Sequence, residues 1–93
     1  MSDTATVWVI NASNSQFPGG IFSNMDSALA AISKWQLTGT LTEYPLDELV
    51  YDHAIKMEWF EPKTPKHCSP AWVGGFTSAR QQHYHFENGS IIS

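Results

Sequence analysis

Cysteine occurs once in this 93-residue chain, at Cys68. A lone thiol excludes an internal disulfide framework and a thiolate cluster for zinc, and gives no sign of an oxidising compartment. Charge is scarce too. Asp, Glu, Lys and Arg make up 15% of the residues, too few for the charge-rich kind of disordered chain. Five of these are basic against nine acidic, leaving a net charge of −4. Nucleic-acid binding needs clustered Lys and Arg to displace counterions from phosphates, so no nucleic-acid partner is expected. No apolar run approaches the ~18 residues of a membrane span, and the first residues lack the basic and apolar regions of a secretion signal. The expectation is a cytoplasmic protein with no membrane partner.

What the chain does have is aromatic. Five Phe, four Trp and three Tyr are present in a chain that is 42% apolar. Each aromatic ring can bury roughly 150–250 Å², which suffices for a compact core in a small chain. One domain over residues 1–93 is expected, with 1–4 and 90–93 frayed.

The stretch Leu37 to Phe60 organises the reading, because it joins a strand to an aromatic-rich helix and holds Glu43, Asp47, Glu48 and Asp52. Before it, Ala5–Asn11 (ATVWVIN) has strand composition with both faces apolar: Val7 and Val9 on one, Trp8 and Ile10 on the other. Turn chemistry through Pro18-Gly19-Gly20 predicts a hairpin to a short strand, Gly20–Phe22. Ser23 with Asp26 reads as a capping box for a first helix, whose apolar face carries Met25, Ala28, Leu29, Ile32 and Trp35. Leu37–Tyr44 is a Thr-rich strand ended by Pro45. Asp47 is expected to cap a second helix with Val50, Ala54 and Met57 in one stripe, Tyr51 and Ile55 beside it, and an Asp52–Lys56 pair. Glu61–Ser69 is a loop, Ser69-Pro70 starts a short third helix, and Gly74-Gly75 ends it. In the last strand His83, His85 and Glu87 face one way, Tyr84 and Phe86 the other, before an Asn88-Gly89 turn. The predicted fold class is α+β, in the order β-β-α-β-α-α-β, with an antiparallel or mixed sheet and helices mainly on one face. Trp8, Leu29, Ile32, Leu41, Tyr51, Ile55 and Tyr84 are expected to share one core.

The segments VWVINA, FPGGIFS, GTLTEYPLD, YDHAI, SP and QHYHFENG resemble an uncharacterised family of small bacterial single-domain proteins. Its pattern runs V-W-V-F, F-P-x-G-V-F, G-x-L-T-x-Y-P-L-D, Y-D-W-A-I, S-P and Q-x-H-Y-H-Y. The resemblance covers about Val7 to Gly89. This chain departs from it at His53, where the pattern has Trp, and at Phe86, where Tyr is common. The resemblance implies one coherent unit and carries no activity with it.

Several constellations bear on chemistry. His83, His85 and Glu87 supply zinc-type ligands, with His67, Cys68 or His53 as a fourth. Alternate strand positions spread such groups over ~13 Å, however, so neither a metal nor another cofactor is expected. Cys68 beside His67 has the makings of a nucleophile and base, but neighbouring residues in a Pro-rich loop rarely face each other. No catalytic residues are assigned. The four carboxylates Glu43, Asp47, Glu48 and Asp52, with no basic residue between Lys34 and Lys56, read as a partner-binding edge. Tyr44, Tyr51, His83 and His85 are candidate groove residues. The leading functional expectation is a non-enzymatic acidic protein-binding domain, a stoichiometric inhibitor like an immunity protein of a toxin system or a phage anti-defence protein, with a basic protein partner. The alternative is a sensor or regulator holding a small molecule in an aromatic pocket, and a small metal-dependent hydrolase comes third.

Overall fold

A computed structural model describes residues 5–92. Its centre is a five-stranded antiparallel sheet, in the order β2-β1-β3-β4-β5. The strands are β1 (Thr6–Ala12), β2 (Gly20–Phe22), β3 (Gly39–Pro45), β4 (His83–Glu87) and β5 (Ser90–Ile91). The helices are α1 (Met25–Trp35), α2 (Val50–Lys56) and α3 (Pro70–Gly74), with a 3-10 turn at Pro65–Cys68. The predicted α+β class and element order hold, with one strand added. Residues 90–91 were expected to fray, yet they pair with Glu87 and Phe86. Asn88 (φ 49°) and Gly89 (φ 88°) both lie at positive φ, so the two-residue Asn-Gly loop matches the strand twist and closes a hairpin. Ile92 extends it by donating its N–H to the His85 carbonyl. Residues 1–4, also expected to fray, lie outside the described residues, as does 93.

Residues opposite each other in an antiparallel ladder share a face. The register therefore gathers Trp8, Ile10, Phe22, Leu41, Tyr84 and Phe86 on one side of the sheet. Helix α1 crosses from β2 to β3 over that side and buries Ala28 and Ile32 against Ile10, Leu41 and Phe86, with Leu29 and Met25 packed around them. Its N-cap is Asn24, one residue later than the predicted Ser23: the extended Asn24 aims its carboxamide oxygen at the Ser27 amide, 2.8 Å away. Trp35, predicted on the apolar face, is 69% exposed. The reason lies at the helix end. Gln36 turns into the left-handed region (φ 54°), and Leu37 donates back to Ile32 and enters the core where Trp35 was expected.

Helix α2 ends the same way. Glu58 takes the left-handed position (φ 62°) while its amide donates to Ile55 and that of Trp59 to Ala54. In both helices a non-glycine residue fills a site that glycine usually takes. The chain therefore leaves α2 at Met57, and Met57 and Ile55 stay at the surface, contrary to the predicted stripe and core. At the other end Asp47 is no cap. It sits in a turn at φ 62°, and the N-cap position falls to Leu49, which makes no side-chain capping bond.

The chain between β3 and β4 packs on itself rather than on the α1 side. Tyr51, predicted to join the main core, is instead surrounded by Phe60, Trp72 and Phe76 at ring-centroid distances of 5.8, 6.3 and 5.7 Å. Phe60 stacks on Trp72 at 5.2 Å, and the His67 ring lies 4.5 Å from Trp72. Burial pushes the Tyr51 hydroxyl above its usual pKa, with the neighbouring Cys68 thiol adding to the shift. That hydroxyl donates to the His67 carbonyl at 2.8 Å and ties α2 to the 3-10 turn. At the predicted third-helix start, Ser69 Oγ accepts from the Trp72 amide, as expected. Two packing centres, one aliphatic under α1 and one aromatic beyond the end of β3, draw the molecule out to 44 × 33 × 20 Å. The radius of gyration is 14.6 Å, against about 12 Å for a compact chain of this length.

Candidate functional site

The four predicted partner-binding carboxylates meet different fates. Glu43 is half-buried on β3 and accepts from the Thr6 hydroxyl at 2.8 Å. Glu48 is half-buried too, held by Lys56 Nζ at 3.0 Å and His53 Nδ1 at 3.1 Å. Lys56 thus reaches Glu48 rather than the predicted Asp52, because the turn before α2 folds Glu48 back along the helix. Asp47 and Asp52 are exposed. Asp47 and Asp52 keep a free edge, and Glu43 and Glu48 are drawn into local structure.

The hydrogen bond from Lys56 lowers the Glu48 pKa, and His53 adds to that, against a smaller opposing effect of desolvation. A carboxyl whose pKa is depressed by folding stabilises the fold above its usual pKa and loses that contribution as pH falls through the folded value. Chemical denaturation at about pH 7 and about pH 3 is therefore expected to show a smaller acid-induced loss in Glu48→Gln than in the parent. Equal losses in the two proteins would show that the Lys56–Glu48–His53 cluster is not coupled to folding.

Among the predicted groove residues, the fold brings Tyr44 and His83 together. They line a shallow hollow of about 280 Å³ with Thr40, Thr42 and the Thr77–Ala79 loop. His85 shares that sheet face, its ring centroid 5.8 Å from that of His83. Tyr51 is absent from the lining of this hollow and belongs to the aromatic cluster. No group of three His, Cys, Asp or Glu side chains converges on a point among the described residues.

Two other concavities involve residues that the sequence reading passed over. Beside the C-terminal end of α2, a hollow of about 520 Å³ is lined by Ile55, Trp59, Phe60 and Pro62 with the exposed carboxylates Glu58 and Glu61. The signal was available in the sequence as E-W-F-E-P, two acids bracketing two aromatics. Between the end of the sheet and α2 lies a smaller cleft of about 250 Å³, lined by Glu43, Tyr44, His53, Trp59, Arg80 and their neighbours. Its floor is fixed by Gln81, which is 5% exposed. The Gln81 carboxamide donates to the Glu43 carbonyl and accepts from the Ser78 amide, both at 2.9 Å, pinning the 78–81 loop to β3.

Sheet, helices and concavities together define a small antiparallel α+β protein with an acidic, aromatic flank. The chain belongs to the family described as Domain of unknown function (DUF7710), whose model matches residues 7–92. No curated protein and no solved structure shows significant similarity to it.

Proposed function

We propose that the protein is a non-enzymatic, acidic protein-binding domain that acts as a stoichiometric inhibitor of a basic enzyme, in the manner of an immunity protein or a phage anti-defence inhibitor. The observation that carries this reading is the hollow beside α2, where Glu58 and Glu61 frame the rings of Trp59 and Phe60 and the side chain of Ile55. Between Leu46 and Glu61 there are five carboxylates and one lysine. Leu46 and Leu49, each about half exposed, lie in the turn that leads into α2, beside the exposed Asp47. An apolar centre with a charged margin is the composition of a protein interface, and its sign selects a positively charged partner. A Lys or Arg side chain entering the hollow would meet both a carboxylate and an aromatic face.

The site suits a different set of probes from the four carboxylates in the sequence motif. Glu48 would confound a test because Lys56 and His53 depend on it. Asp47 sits at φ 62°, which Asn adopts more readily than Lys, so Asp47→Asn is its conservative neutralisation. Asp52→Lys combined with Glu61→Lys reverses two exposed charges without touching either packing centre. The tagged protein should capture a basic partner from lysate of its source cells, in equimolar amount. The double reversal should fold normally and bind about tenfold or more weakly. Capture of an acidic partner, or unchanged binding by the double variant, would defeat the proposal.

A further inference from the structure

We propose that the cleft between the end of the sheet and α2 is a second site, one that binds a small zwitterion of the α-amino acid kind and adjoins the partner surface at Trp59. The cleft's volume of about 250 Å³ lies below the about 300–1,000 Å³ of drug-sized pockets, which sets the ligand at metabolite size. Its lining carries groups of both signs. Glu43 accepts from Thr6 through Oε2, and its other carboxylate oxygen has no hydrogen-bond partner among the described residues. Arg80 is exposed, and no carboxylate lies within ion-pair distance of it among the described residues. A single positive or single negative ligand would satisfy one of these groups and be repelled by the other. A molecule with an ammonium and a carboxylate on neighbouring carbons satisfies both.

The remaining lining fits the same chemistry. His53 is held through Nδ1 by Glu48, which leaves Nε2 as its second polar atom, and its ring meets Trp59 edge-on at 5.2 Å. The rings of Trp59 and Tyr44 offer faces to an ammonium or to a short aliphatic side chain. The site is built rather than fortuitous: the buried Gln81 carboxamide fixes the loop that bears Arg80 directly to the backbone of Glu43.

The test is a titration of the ¹⁵N-labelled protein with the common L-amino acids, each matched by its decarboxylated amine and its deaminated acid, following the Trp59 indole N–H by NMR. At least one amino acid should give a saturable shift, with its amine and its acid binding about tenfold or more weakly. Arg80→Ala, a change at an exposed position, should lower affinity by a similar factor while resonances distant from the cleft stay in place. Glu43→Gln should do the same for the ammonium end. Three outcomes would overturn the proposal: no saturable shift with any amino acid at millimolar concentration, an amine or acid that binds as well as its parent zwitterion, or full affinity in Arg80→Ala. Binding of the partner protein plays no part in the measurement, so the two proposals stand or fall separately.

Discussion

Gly39→Ala is expected to destabilise the fold by about 3 kcal/mol or more. A Cβ at this position would lie 2.1 Å from the Asn11 carbonyl oxygen and 2.8 Å from the Ala12 Cα, both backbone atoms of β1. Gly39 is paired with Ala12 of β1 on one side and with Phe86 of β4 on the other. Backbone cannot rotate out of the way as a side chain can, so the ladder between β1 and β3 must open. The cost would appear as a lower denaturation midpoint with an unchanged slope, or as loss of folding altogether. A change of less than about 1 kcal/mol would mean that β1 and β3 are spaced more widely than described.

The second large effect belongs to Phe86. Its side chain is 1% exposed and packs with Ile10, Ala28, Ile32 and Leu41 in the aliphatic centre. Truncation to alanine removes most of a ring from the one place where α1 and three strands meet. The expected loss is about 3–5 kcal/mol, a large share of the about 5–15 kcal/mol that holds small domains together. Phe86→Leu, which keeps most of the volume, should cost much less. A Phe86→Ala protein as stable as the parent would show that the α1 side of the sheet is not the main core.

The strands were legible because their composition states their faces. Val7 and Val9 against Trp8 and Ile10, and His83 and His85 against Tyr84 and Phe86, alternate cleanly, and the register keeps that alternation across the sheet. The helix ends were not legible. No glycine follows Trp35 or Met57, so nothing in the sequence marked the left-handed turns at Gln36 and Glu58. Both turns decide which side chain comes next inward, Leu37 in the first case and Trp59 in the second, and so Trp35, Ile55 and Met57 were placed inside when they lie outside. Tyr51, Phe60, Trp72 and Phe76 have no common period, which is why their separate cluster could not be read from spacing. For the acidic site, nearness in sequence stood in for nearness in space. Glu48 pairs with residues five and eight positions on because it precedes the helix in a turn, a geometry that helical spacing does not anticipate.

Electrostatic attraction between a surface and an oppositely charged partner acts mainly on association, and salt screens it over about 8 Å at physiological ionic strength. The association rate of the protein with its captured partner, measured over a range of salt concentrations for the parent and for Asp52→Lys/Glu61→Lys, therefore tests the acidic binding surface most directly. The parent's association rate should fall steeply as salt rises while dissociation changes little, and the double variant should associate slowly with almost no salt dependence. An association rate that is flat with salt for the parent, or equally steep for both proteins, would contradict the proposed acidic binding surface.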